Sequence, residues 1–296
     1  MTGADRVSAP ELPPTSERSE LRFGFGRNWR HFLDVVDARR ISEAEDSLKT
    51  MLGIENVAGK TFLDVGCGSG LFSLAAMRLH AAHVHSFDYD ADSVGSARAL
   101  KQRFLPGAER WTIERGSALD PEYLRALGVW DVVYSWGVLH HTGRMWEGLG
   151  NAARLVAPHG VLFVSIYNDQ GRVSDWWSRV KRLYNRGPLQ RAAVQAGFIP
   201  YFALRGLVGD VLRLRNPRRR YTDYARSRGM SLLHDWIDWL GGYPFEVATP
   251  EAVVRFMLPR GFVLTNLTTA GGGHGCNEFL FQRPPAGLRA TGPQDR

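Results

Sequence analysis

Residues 61–71, Thr-Phe-Leu-Asp-Val-Gly-Cys-Gly-Ser-Gly-Leu, join a short apolar strand to a turn with glycine at every second position, and a helix-forming stretch follows at once. Glycine is needed where the backbone takes positive φ or must approach a ligand closely, and a helix N-terminus offers unpaired N–H donors there. A strand, glycine turn and helix in one window belong to an open α/β sheet that binds a nucleotide-like cofactor. The dinucleotide fingerprint G-x-G-x-x-G requires glycine at position 71, where this chain has Leu71. Two acids flank the turn. Asp64 ends the first strand, and Asp88 closes a second apolar stretch, His83 to Phe87, where it can accept hydrogen bonds from ribose hydroxyls. A carboxylate beside helix-terminal donors repels a pyrophosphate but welcomes an α-ammonium. The pattern favours S-adenosylmethionine over NAD.

Leu63 to Gly70, then Asp88, Gly116-Ser117-Ala118 and Asp131-Val132-Val133-Tyr134-Ser135, occur in the order found in class I S-adenosylmethionine-dependent methyltransferases, which this chain resembles. The resemblance is closer in outline to the small-molecule O-methyltransferases of ubiquinone biosynthesis. These share the wording after strand four, a long insertion after strand five, and a His-Asp followed by Pro-Glu, here His234-Asp235 and Pro250-Glu251.

The pattern predicts strands near 61–65, 83–88, 110–115, 130–135, 160–167, 262–269 and 277–283. Helices near 70–80, 91–104, 121–127, 143–156 and 249–259 alternate with them, the rhythm of a doubly wound, mostly parallel sheet. The resemblance implies seven strands, the last antiparallel. A proline-bearing tail (1–20) is expected to be disordered, as is the C-terminal tail (284–296). Residues 21–58 form a helical cap, with Ile41 to Met51 an amphipathic helix that Ser42 would cap and Glu45 complete. The Rossmann-like core then spans 59–168 and is finished by 248–283. A helical insertion at 169–247 is far longer than an ordinary connection of roughly 2–6 residues, so acceptor specificity is expected there.

With 44% apolar residues, the 296-residue chain can bury one large core. Two cysteines, Cys67 and Cys276, are too few for a disulfide framework, and no apolar leader opens the sequence, so a reducing, cytoplasmic setting is expected. The net charge of +7 is concentrated in seven arginines between Arg213 and Arg228, against one acid, Asp223. Upstream, Tyr201, Leu204, Leu207, Val208, Val211 and Leu212 share one helical face, opposite Arg205, Gly206, Gly209, Asp210 and Arg213. The simpler expectation is that the apolar face packs on its own domain. The sharper one is a lid whose 201–228 segment makes peripheral contact with a membrane or a lipophilic acceptor. It is not transmembrane, because Pro200, Arg205 and Asp210 interrupt the apolar run.

Ligands of an open parallel sheet sit beyond the strand C-termini. That rule selects Gly66, Cys67, Gly68 and Gly70, then Asp88 and Tyr89, Ser117 and Ala118, and Ser135 and Trp136 as the cofactor set, with Asp64. Tyr167, Asn168, His234, His274 and Asn277 are expected at the acceptor. His140, His141 and His274 are the candidate bases for a hydroxyl acceptor, since imidazole titrates near neutrality. His274 lies in a glycine-rich hairpin that topology puts at the active end. No ligand pair has a recognised metal spacing, so no metal is expected. Trp176, Trp177, Trp236 and Trp239 could line a pocket for a flat acceptor, although helical spacing favours core packing for the second pair.

The function expected is O-methylation of a small, lipophilic or phenolic acceptor. Other readings are a tRNA-modifying transferase, through Ser135 to His141 and the arginine run, and a sugar or peptide methyltransferase. A non-catalytic S-adenosylmethionine-binding scaffold comes from a different class. The arginines are not interleaved with an obvious base-stacking platform, which argues against nucleic acid.

Overall fold

The structure, a computed structural model, describes residues 23–24, 33, 36–213, 216 and 232–285. The two tails expected to be disordered, apart from Pro284 and Pro285, most of segment 21–35, and the arginine run beyond Arg213, apart from Asn216, lie outside the described residues.

Strand-forming residues fall into β1 (Thr61–Val65), β2 (His83–Asp88), β3 (Trp111–Arg115), β4 (Trp130–Ser135), β5 (Val156–Tyr167), β6 (Val263–Thr268) and β7 (Cys276–Gln282). They form one sheet in the order β3-β2-β1-β4-β5-β7-β6. The pairs from β3 to β5 are parallel, and β7 runs antiparallel to both its neighbours. Successive side chains of β1 enter opposite layers, so the strand is apolar almost throughout. Phe62 packs with Leu74, Val84 and Trp111, and Leu63 packs with Phe87, Val133 and Leu149.

The first layer holds α1 (Ala38–Leu52), α2 (Leu71–Arg78) and α3 (Ala91–Phe104). The second holds α4 (Pro121–Leu127), α5 (Met145–Arg154) and α9 (Pro250–Met257). The expected cap of α1 is corrected. The helix starts a turn before Ser42, after extended Asp37, whose Oδ1 accepts the Arg40 N–H at 2.9 Å. Asp37 precedes Ala38, Arg39 and Arg40, good helix formers that carry the helix back to the earlier cap. Glu45, freed from a capping role, instead pairs with Arg78 of α2.

The insertion contributes α6 (Arg172–Tyr184), α7 (Pro188–Leu212) and α8 (Leu232–Gly241). Trp177, Tyr184, Val194 and Leu240 make a third, smaller core beside Phe198, Phe202 and Trp239. Helix α7 runs through Pro200, whose ring nitrogen cannot donate to the Ala196 carbonyl. Here the expected packing of 201–212 is reversed. The buried residues of α7 are Val194, Gly206 and Asp210, on a stripe of four-residue spacing that includes Phe198 and Phe202. The aromatic members dock on Trp177 at 5.4 Å and Trp236 at 5.6 Å. A helix is a stiff rod, so the phase set by these contacts persists along it, turning Leu204, Leu207, Val208, Val211 and Leu212 outward.

Leu48 of α1 is wholly buried against the first layer. Leu48→Ala is expected to cost about 2–5 kcal/mol, read as a lower urea midpoint with an unchanged slope.

Candidate active site

A cavity of about 1710 Å³ opens over the C-terminal ends of the parallel strands, roofed by the insertion. This exceeds the roughly 300–1,000 Å³ of a single-ligand site, leaving room for two ligands side by side. One half is polar and lies over β1, β2 and β3. The other is aromatic and lies under α6, α7 and α8.

The polar half begins with the turn after β1. Gly66, Gly68 and Gly70 all take positive φ, at 79°, 52° and 79°. A Cβ on Gly66 would come within 2.3 Å of Val138 Cγ1, and one on Gly70 within 2.9 Å of Ala97 Cβ. Only a bare backbone fits these two places. The Gly68 N–H donates to Asp88 Oδ2 at 3.0 Å and the Asp90 N–H to Asp88 Oδ1 at 2.9 Å, which aims the carboxylate at the cavity. Burial raises the Asp88 carboxyl above its ordinary value, and the two N–H donors oppose that rise. Tyr89 stands half exposed on the wall with the Arg115 guanidinium 5.6 Å from its ring centre, a flat platform of adenine size. Ser117 and Ala118 continue this wall, the Ala118 carbonyl held by Asn151 Nδ2 at 2.9 Å.

Asp64 closes the opposite end. Burial pushes its carboxyl up to about 7, against a hydrogen bond from Ser73 that lowers it, with the nearby Asp88 charge raising it further. A buried acid poised at neutrality suits a cationic ligand group, which would hold it ionised. The donor set therefore fits S-adenosylmethionine: Asp88 for ribose hydroxyls, Tyr89 for a flat base, Asp64 for an ammonium. Cys67 also faces the cavity as a thiol, since burial, together with the Asp64 and Asp88 charges, holds it far above the usual thiol range.

The aromatic half brings together Tyr167, Trp177 and His274, expected from sequence, with Phe198 and Phe202, which were not. The four-residue spacing of Phe198 and Phe202 across Pro200 is the signal that finds them. Trp236 and Trp239 correct the expectation of core packing alone, because both also line the cavity. His274 reaches from the β6–β7 hairpin to within 6.2 Å of Trp177 and 5.9 Å of Trp239, ring centre to ring centre. Partial burial, then Arg205 and Lys181, lower its pKa. Lys181, also missed from sequence, is wholly buried, its ammonium 4.0 Å from the Trp239 ring centre and donating to the Trp239 carbonyl.

At the junction of the halves, Trp136 Nε1 donates to Glu278 Oε1 at 2.9 Å. His141 also lines the junction, its Nδ1 2.7 Å from the Pro244 carbonyl oxygen. That carbonyl can only accept, so Nδ1 carries the proton and Nε2 is the basic atom of the neutral ring.

Five expected site residues stand off the cavity wall. Ser135 is buried with its Oγ donating to the Val65 carbonyl at 3.1 Å, tying β4 to β1. His140 is fully buried against Tyr167, and burial, then His141, drives its pKa well below the usual imidazole value. Asn168 donates to the Gly273 carbonyl at 3.2 Å and accepts from Asn277 Nδ2 at 3.1 Å, while Asn277 Oδ1 accepts the Ala270 N–H at 3.0 Å. The two asparagines brace the hairpin that carries His274. Gly70 caps α2 without lining the cavity. His234 lies outside the residues whose side chains are described. Among the described residues no three His, Cys, Asp or Glu side chains are grouped to hold a metal ion.

A family model described as a methyltransferase domain matches residues 36–208. A ubiquinone biosynthesis O-methyltransferase of Marinobacter nauticus is 36% identical over 115 residues, 38% of this chain and 46% of that protein. A ribosomal protein L11 methyltransferase of Aeromonas hydrophila is 30% identical over 119 residues, 36% of each chain. The match thus spans less than half the length of these curated relatives, and what they share is methyl transfer rather than the acceptor. Magnesium protoporphyrin IX methyltransferase from Synechocystis, solved with bound S-adenosylmethionine, has the same fold at a TM-score of 0.50 and 14% identity, over 88% of this chain and 91% of that one.

Ionised Asp64 is the form that attracts an ammonium, so affinity for S-adenosylhomocysteine is expected to rise with pH through about 7 and level off above it. Calorimetric titration should show this slope and should show Asp64→Asn flattening it. Asp88→Ala removes the ribose acceptor and leaves the Gly68 N–H unpaired. It should weaken the same ligand by about 2–3 kcal/mol, roughly 30- to 150-fold.

Proposed function

The chain belongs to the methyltransferase-domain family, whose cofactor is S-adenosylmethionine, and from that premise we propose that it methylates a hydroxyl of a small, flat and lipophilic acceptor presented at a membrane surface. The observation that carries this reading is the aromatic half of the cavity, where Trp177, Phe198, Phe202, Trp236 and Trp239 stand around one space beside two histidines. Aromatic walls favour flat apolar ligands by burial and by ring stacking.

When bound, S-adenosylmethionine supplies a methyl group already activated for transfer. The protein's part is to hold the acceptor oxygen close and in line, exclude water and remove one proton. His141 is the group placed for the proton. Its Nδ1–H is anchored on the Pro244 carbonyl, which leaves Nε2 as the atom that would take the acceptor's hydroxyl proton. His274 and Trp177 hold the acceptor from the hairpin side, with Asn168 and Asn277 fixing that hairpin.

Incubating the protein with methyl-labelled S-adenosylmethionine and cell extract, then separating organic-soluble, RNA, protein and small polar fractions, should put the label in the organic-soluble fraction. Label confined to RNA or protein would overturn the acceptor class. His141→Gln should lower kcat by about 10²- to 10⁴-fold while leaving S-adenosylhomocysteine affinity within a factor of about two.

A further inference from the structure

The outer face of α7 is apolar although it faces solvent. Tyr201, Leu204, Leu207, Val208, Val211 and Leu212 are each between 46% and 79% exposed, whereas Gly206 and Asp210 of the same helix are buried. A soluble helix ordinarily shows the opposite polarity, and a contiguous exposed apolar surface marks an interaction site. We propose that this face is a docking surface for an anionic lipid bilayer, with α7 lying in the plane of the interface.

Charge selects the lipid surface over other occupants. Arg213 follows the last residue of α7, and the sequence continues with six more arginines and one acid as far as Arg228. Basic residues beside an apolar helical face add electrostatic attraction to anionic headgroups on top of apolar burial. No described helix is long and apolar enough to cross a membrane, so the face can lie on a bilayer but not span it.

The position of the cavity gives the surface a use. Val173, Trp176 and Tyr201 line the cavity and are also 45–51% exposed, so its mouth has an apolar rim. Tyr201 is the first residue of the outward face. A lipophilic acceptor can therefore pass from the bilayer to the aromatic half of the cavity across a continuous apolar path. This rests on the lipophilic acceptor proposed above for its purpose, but not for its test.

The test is flotation of the full chain with vesicles of phosphatidylcholine alone or mixed with phosphatidylglycerol, without acceptor or turnover. The chain should float with the mixed vesicles, at least tenfold less with phosphatidylcholine alone, and progressively less as salt rises. The triple variant Leu204→Gln, Val208→Gln, Val211→Gln should lose at least tenfold of the bound fraction. Unchanged S-adenosylhomocysteine affinity in that variant shows that it is folded. No flotation of the parent chain, or equal flotation of the variant, overturns the proposal. So does a parent dimer that becomes monomeric in the variant, which would assign the face to a second copy, or an RNA affinity that the variant loses in place of vesicle binding. Because flotation reads no chemistry, its failure leaves the methyl-transfer reading standing, and label confined to RNA or protein leaves the docking surface standing.

Discussion

A buried chain of hydrogen bonds under the glycine turn holds the site together. Ser73 of α2 donates to Asp64 Oδ2, and its oxygen lies 2.7 Å from Ser86 Oγ of β2, which in turn accepts the Trp111 indole N–H of β3 at 2.8 Å. Ser73 has one hydrogen, committed to the carboxylate, so Ser86 must donate to Ser73. Every donor then points towards Asp64. The chain links three strands and the helix after the turn, satisfying polar groups that would otherwise be costly to bury. At its end burial raises the Asp64 carboxyl to about 7, a state that a positive charge beside it would reverse.

From that anchor the rest follows by position. Parallel strands deliver their C-terminal residues to one edge, and the β6–β7 hairpin arrives at the same edge because β7 returns antiparallel to β5. The insertion covers the edge with aromatic rings whose inner support includes a buried cation, Lys181, against Trp239 and Phe245. Acids gather in one half of the cavity, where Asp64, Asp88, Asp90 and Asp92 line the wall with Arg115, while Arg205 lines the other half beside His274.

The strands and most helices of the core were legible because hydrophobic period, glycine turns and capping acids agree there. The position of the site was legible for the same reason, since topology alone sends residues such as Asp88, Tyr89 and His274 to the active edge. Side-chain direction was not. Ser135, His140, Asn168 and Asn277 sit at that edge too, yet they are turned into the protein as ties between strands, core filling or hairpin braces. Adjacent residues at a strand end or in a tight turn point different ways, so a rule that picks the segment picks both the group on the wall and the one behind it. His140 and His141 show this: one is packed in the core, the other lines the cavity.

The sequence by itself determined the sheet, its glycine turn and the acids that line the cavity beside it, because these depend on residues close together in the chain. Only the tertiary structure decided the aromatic half of the cavity and the polarity of α7. The amphipathic pattern of 201–212 is plain in the sequence, but which face turns inward depends on where Phe198 and Phe202 dock against Trp177 and Trp236. Those tryptophans lie on helices distant in sequence, and a stiff helix carries the phase set at one end to the other.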